Sequence, residues 1–287
     1  VEFAKYQETP EYKEINIGMT LPEYQFIFYM EWIHRMIARL AGLAYALPVF
    51  YFLLKKTIPL KEFGIYFLMG MLFIGQAFMG WYMVASGLVD RPAVSHFRLT
   101  SRLLLAFSLF SLALWTAFGH KFGFHDTSRK IKWLLPSTLT AWSIGLLILQ
   151  ITYGSMTAGL KAGHVSDIWL LMFGKWIPPD LFGAWINIFE SPQTIVFIHR
   201  WLAWLGLIAV PVVYYFVKKQ KYPQDIQKGL AWLIGVVGLQ ITLGVLTILS
   251  YVQIDLALAH QANALLLLAL AIYFIHRFRT LDSTISP

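Results

Sequence analysis

No cysteine occurs among the 287 residues. That excludes disulfides, thiolate metal ligands and iron–sulfur ligation by this polypeptide, and it leaves the redox compartment open. Charge is nearly as scarce: 13% of residues are charged and 58% are hydrophobic, where a soluble domain carries about 25% charged residues. Runs of roughly 18 or more mostly apolar residues recur along the whole length, each able to cross a bilayer as a helix. No polar stretch is long enough for a separate soluble domain. The opening VEFAKYQETPEYKE is polar and acidic and reads as neither a signal peptide nor a transit peptide.

Seven spanning helices are predicted, over residues 24–54, 63–86, 95–118, 134–157, 193–217, 229–250 and 256–276. Thr20-Leu-Pro-Glu23 forms a capping box with a proline at the first turn, and Ser191-Pro192 is a cap followed by proline. The loops after the first, third and fifth spans and the C-terminal tail hold Lys55, Lys56, Lys61, Lys121, Arg129, Lys130, Lys132, Lys218, Lys219, Lys221, Lys228, Arg277 and Arg279. The opposite side holds only Lys5, Lys13, Arg91, Lys161 and Lys175. This asymmetry predicts that the basic side faces the cytoplasm or matrix and that residues 1–23 form an outer polar segment. The net charge of +8 therefore reports topology and is no sign of a nucleic-acid partner.

The basic residues left over are all arginines near the outer ends of spans: Arg35, Arg39, Arg98, Arg102 and Arg200. Glu31 is the single acidic residue inside a predicted span. Ionisable groups inside a membrane are costly, so each is a candidate functional residue. The chain also repeats itself. IHRMIARLAGLAYALPVFYFLLKK resembles IHRWLAWLGLIAVPVVYYFVKK, Gln76-xxx-Gly80 recurs as Gln240-xxx-Gly244, and His96 recurs as His260. An even number of crossings separates the copies, so the repeat is parallel, with its axis along the membrane normal. The second copy has a helix ahead of its His-Arg pair that the first lacks, which predicts one further span upstream of Val1.

Eight histidines divide by place. His120, His125 and His276 fall on the basic side, where a solvated role is expected, and His164 lies in an outer loop. The other four pair by repeat: His34 with His96, and His199 with His260. Each pair joins the outer ends of the first and third spans of one copy. A lone membrane histidine most often hydrogen-bonds a neighbour, but four at matched spacing and depth point to metal or haem ligation. Zinc fits less well, because neither pair supplies the further ligands of a structural site. Haem needs an apolar slot and cations for its propionates. Arg35, Arg98, Arg102 and Arg200 are candidate propionate partners, since arginine pairs bidentately with carboxylates; snorkelling to the interface is the competing role. Gly75, Gly80, Gly235, Gly238 and Gly244 are places where a macrocycle or a neighbouring helix can approach closely.

Glu31-x-x-His34-Arg35, His96, His199-Arg200, His260 and the segment TYGSMTAGLKAG at 152–163, in this order and spacing, resemble the membrane haem A synthases of respiratory assembly over nearly the whole chain. The resemblance implies an all-α polytopic membrane protein with two pseudo-symmetric four-helix bundles in parallel repeat, the first helix of the N-terminal bundle being absent here. It implies an N-terminal bundle (24–118) that takes haem O through His34 and His96, and a C-terminal bundle (119–287) that holds a haem B cofactor through His199 and His260. The implied reaction oxidises a ring methyl of haem O to a formyl group. The implied partners are haem O, the lipid bilayer, an electron donor or acceptor, haem O synthase and oxidase assembly factors, with homo-oligomers allowed. The haem sites are expected toward the periplasmic or intermembrane side of a bacterial cytoplasmic or mitochondrial inner membrane. The cysteine pair of some members is missing, so no thiol-dependent step operates here.

The residues divide the labour on their own account. Aligning the His-Arg pairs sets Glu31 opposite Val196, so the carboxylate occurs in one copy only and marks that copy for chemistry. Glu31 shares a helical face with His34; an ion pair with Arg35, four residues on, is the competing role. Two other classes fit less well. A di-haem cytochrome b that only transfers electrons leaves Glu31 unexplained, and a parallel-repeat transporter with a histidine proton relay leaves the matched helix-head placement unexplained. The outer segment 158–192, mixing aromatics with few charges, is expected to lie in the interface over the second bundle.

Overall fold

The computed structural model describes residues 1–60, 62–87, 94–124 and 135–285. Expectations that rest on Lys61, Arg91, His125, Arg129, Lys130 and Lys132 lie outside them. The described residues form ten α-helices: α1 Glu2–Gln7, α2 Pro10–Glu14, α3 Leu21–Leu54, α4 Phe63–Gly87, α5 His96–Phe122, α6 Leu135–Gly159, α7 Asn187–Glu190, α8 Pro192–Lys219, α9 Gln224–Leu249 and α10 Ile254–Ile285. A 3₁₀ turn at Ala162–His164 follows α6. Seven helices, α3 to α6 and α8 to α10, are long and apolar enough to cross a membrane. The protein is a polytopic helical membrane protein.

The predicted helix starts are built as their sequences dictate. The Glu23 carboxylate accepts from the Thr20 N–H at 2.7 Å and from its hydroxyl at 2.8 Å, closing the start of α3. Ser191 Oγ accepts from the Thr194 N–H at 3.4 Å, with Pro192 as first residue of α8. The largest departures from the expected ends are at α9 and α10. Helix α9 begins at Gln224 rather than 229 because its first turn is polar, with Asp225 at the favourable end of the helix dipole. Helix α10 runs past 276 to Ile285. Hydropathy reports where the bilayer ends, whereas helical hydrogen bonding continues beyond it.

The chain divides into two compact units, Val1–Leu112 and Ala113–Pro287. In the first, the outer polar segment is folded: α1 lays Phe3 and Tyr6 against Tyr24 at ring distances of 5.1 and 5.0 Å, and Asn16 Nδ2 donates to the Tyr6 hydroxyl at 2.7 Å. Tyr45 joins α3 to α4, donating to the Tyr66 carbonyl and stacking on Phe73 at 5.1 Å. Gln76 Nε2 on α4 donates to the Arg102 carbonyl on α5 at 3.0 Å.

In the second unit α6, α8, α9 and α10 form a four-helix bundle in which α6 and α9 each pack against both α8 and α10. Val213, Val217, Tyr222, Ile226, Leu230, Leu233, Leu267, Phe274 and Phe278 fill its basic end. That end is sealed by side-chain packing, while the histidines lie toward the other. The outer segment is fastened to the head of α8: Thr194 Oγ1 donates to the Leu181 carbonyl at 2.6 Å, and Met172 packs with Ala162 and Val196.

His276 departs from the solvated role expected of it. It is 3% exposed, and its ring meets Trp115 edge-on at 4.9 Å. The reason is the extra length of α10: His276 lies inside the helix, facing the end of α5, where Arg277 covers Phe122 and Arg279 covers Trp115.

Candidate functional site

His199 on α8 and His260 on α10 face each other inside the C-terminal bundle. Their ring centroids are 6.4 Å apart and the planes stand at 82°. Each ring is set by the helix before its own. His199 Nδ1 lies 3.2 Å from the Gln150 carbonyl on α6, and His260 Nδ1 lies 3.1 Å from the Gln240 carbonyl on α9. A carbonyl only accepts, so both Nδ1 atoms carry the proton and both Nε2 atoms keep their lone pair.

A glycine one turn further along receives each ring. A Cβ on Gly154 would stand 2.8 Å from His199 Cε1, and a Cβ on Gly244 would stand 2.9 Å from His260 Cε1. Both contacts are closer than any side chain allows, so the imidazoles lie directly on helix backbone. Glutamine then glycine four residues later is one device used twice, as Gln150-xxx-Gly154 and Gln240-xxx-Gly244. Gln76-xxx-Gly80 is a third copy. Sequence reading paired the second and third with each other and missed the first. The missed copy was visible in the same four-residue spacing.

Two histidines facing each other across a helical bundle are residues that would hold a haem iron. Nδ1–H donated to a backbone carbonyl, with Nε2 free, is the usual state of a ligating histidine. Among the described residues there is no group of three or more His, Cys, Asp or Glu that could hold a metal ion.

Arg200, next to His199, is 7% exposed. It donates to the Ser166 carbonyl at 2.8 Å and the Ile168 carbonyl at 3.2 Å. It therefore ties the outer segment to α8. Beside it a cavity of about 270 Å³ is lined by Trp169, Leu170, Trp176, Trp201 and Trp204, with Trp169 stacked on Trp204 at 6.0 Å. A second tie joins Tyr251 to this segment: its hydroxyl donates to Asp167 Oδ2 at 2.6 Å. That bond lowers the Asp167 carboxyl below its ordinary range and raises the Tyr251 phenol above its own.

The N-terminal unit arranges its candidates differently. His34 is exposed on α3, and His96 is half-buried at the head of α5 with its ring 4.1 Å from Phe97. A facing pair like His199–His260 is not formed by these two among the described residues. Glu31 forms an ion pair with Arg35, both side chains about half exposed. Arg98 lies over the Tyr82 ring at 5.0 Å. Arg102 reaches back along α4, within 4.0 Å of Met83 Sδ and beside Gly80. Of the other glycines singled out, Gly75 meets Leu105 while Gly235 and Gly238 have open space where a side chain would be.

Fold and site together define a class: a polytopic helical membrane protein with two facing imidazoles buried in a four-helix bundle. The family described as cytochrome oxidase assembly protein matches residues 1–272, and this chain belongs to it. It is 40% identical over 291 residues to the heme A synthase of Nitrosospira multiformis, a match covering 96% of this chain and 79% of that protein. It is 40% identical over 294 residues to the heme A synthase of Wolbachia pipientis wMel, covering 100% of this chain and 80% of that one. The heme A synthase of Flavobacterium psychrophilum is 38% identical over 289 residues, with 96% and 82% covered.

Proposed function

We propose that this protein is an oxidoreductase of the haem A synthase type, converting haem O to haem A for a respiratory terminal oxidase. The observation that carries this is 40% identity to a heme A synthase across 96% of the chain. A cytochrome that only transfers electrons is not favoured by that match.

The finer assignments are ours. His199 and His260 hold a haem B cofactor, which supplies one-electron transfer when bound. The protein's part is to fix two imidazoles by Nδ1 donation and by two glycine cradles, to seal the basic end with apolar side chains, and to fasten the outer segment through Arg200. Arg200 also lies near enough to His199 in sequence to serve a propionate. The N-terminal unit receives haem O, with His34 and His96 as ligands and Arg35, Arg98 and Arg102 as propionate partners. Oxidising a methyl to a formyl group releases protons at the reacting carbon. Glu31, paired with Arg35, takes them up. The pair sits near the outer end of α3, so the haem sites face the periplasmic or intermembrane side. Other partners are the bilayer, an electron carrier, haem O synthase and oxidase assembly factors.

The test is acid–acetone extraction of protein purified from cells that make haem O, with haems separated and identified by mass. The expected result is haem B together with haem O and its hydroxylated or formyl products. Haem B alone, at two per chain, overturns the enzyme reading in favour of the electron carrier. In the same assay Glu31→Gln is expected to retain haem and lose formyl product; unchanged product overturns the role given to Glu31.

A further inference from the structure

The buried His276 belongs to a second polar cluster, at the basic end of the second unit, where the last turns of α5 meet α10. Its ring lies 4.9, 6.0 and 6.3 Å from the rings of Trp115, Phe118 and Phe122. Three cations rest on the same aromatic surface. Arg277 Cζ is 4.8 Å and Lys121 Nζ 5.4 Å from the Phe122 ring centre, and Arg279 Cζ is 5.3 Å from that of Trp115. Two cations on one ring repel each other, and the ring offsets only part of that cost. Neither Arg277 nor Lys121 has a carboxylate partner among the described residues. Arg277 Nε and His276 Nδ1 are buried there with no hydrogen-bond partner, although buried polar atoms normally have one. One turn further into the span on each helix, Phe118 and Tyr273 stand 5.6 Å apart, and Tyr273 is 6.0 Å from Phe122. The charged rim therefore continues into an aromatic wall.

We propose that this cluster is a binding site for one anionic phospholipid, whose phosphate lies between Arg277 and Lys121 and whose acyl chain follows Phe118 and Tyr273. Phosphate oxygens accept charge-assisted hydrogen bonds from the guanidinium and the ammonium. The negative charge separates the two cations electrically and compensates the polar atoms buried beside them. Basic residues at a membrane surface each add attraction for anionic lipid, and here their side chains are held in place by rings. A zwitterionic headgroup fits less well, because it brings its own cation to a place that already holds three. A free anion would use the rim and leave the aromatic wall uncovered. The site lies at the end of the bundle away from His199 and His260, and it does not depend on the haem assignment.

The experiment is native mass spectrometry of the full chain in detergent, stripped of copurified lipid and titrated with dioleoylphosphatidylglycerol or dioleoylphosphatidylcholine. The first lipid adduct gives the affinity. The parent is expected to bind phosphatidylglycerol in preference to phosphatidylcholine. Arg277→Gln is expected to weaken phosphatidylglycerol binding about 5–10-fold, the worth of one basic residue or one charge-assisted hydrogen bond. Lys121→Gln, at the exposed end of α5, is expected to weaken it in the same direction, and it tests the site if the Arg277 variant does not fold. Lys219→Gln removes the same charge from the end of α8 and is expected to leave the affinity unchanged. Equal affinity in Lys121→Gln and parent overturns the site. So does an equal loss in Lys219→Gln, which would reduce the effect to general surface charge. Equal binding of the two lipids overturns the anionic preference on which the proposal stands. Displacement of phosphatidylglycerol by millimolar inorganic phosphate would make the ligand a free anion and overturn the lipid assignment.

Discussion

At the scale of single residues, the site depends as much on what is missing as on what is present. His199 and His260 reach their positions because Gly154 and Gly244 have no side chain to hold the rings off the helix backbone. Gly154→Ala and Gly244→Ala are each expected to push an imidazole out of place and lower haem affinity about 10–100-fold, the range for disturbing the support of a metal ligand. Gly235→Ala is the control, because nothing lies within 4 Å of its added carbon. Haem retained per chain after detergent washing reads the difference, and equal retention in all three variants rejects the cradle. The histidines themselves were legible from sequence through their repeat. Their tautomer was not, because it is set by the carbonyls of Gln150 and Gln240 on other helices. The ion pair of Glu31 with Arg35 was foreseeable from four-residue spacing alone.

Helices and loops differ in how much of them could be read in advance. Apolar length located the seven spanning helices seen among the described residues, and caps fixed the starts of α3 and α8. The end of α10 was missed because HRFRTLDSTI is helical without being membranous, and His276 was misplaced with it. The outer segment was placed over the second bundle as a unit. Its fastenings were beyond sequence reading, since Arg200 with Ser166 and Tyr251 with Asp167 join residues 34 and 84 positions apart. The second of these gives a pH prediction. Asp167 has a lowered pKa in the folded protein, so its contribution is present above the ordinary carboxylate range and is lost as pH falls through the depressed value. Tyr251 has a raised pKa, so its contribution is present below about 10 and is lost as pH rises past the elevated value. Between these limits the tie holds. Tyr251→Phe is therefore expected to speed limited proteolysis within the outer segment at neutral pH, with the difference shrinking as pH falls through the depressed Asp167 value. Equal cleavage rates at neutral pH would show that Arg200 and Thr194 hold the segment without it.

For the whole molecule, the absence of cysteine turns from an exclusion into a tool. Charge asymmetry predicts an orientation for the chain: the ends of α3, α5 and α8 are basic, and the arginines inside spans fall toward the opposite ends of their helices. In the sequence, His34, His96, His199 and His260 fall toward the less basic ends of their spans, so the compartment they face is a matter for experiment. A single introduced cysteine reports its own side without background, because the chain has no other thiol. Lys56→Cys after α3 and Lys219→Cys at the end of α8 are expected to resist a membrane-impermeant maleimide in intact cells or mitoplasts and to react after permeabilisation. Lys161→Cys and Lys175→Cys in the outer segment are expected to react before it. Lys161 and Lys175 are both exposed, so failure to label them does not arise from burial. The opposite pattern would place the histidines on the cytoplasmic or matrix side.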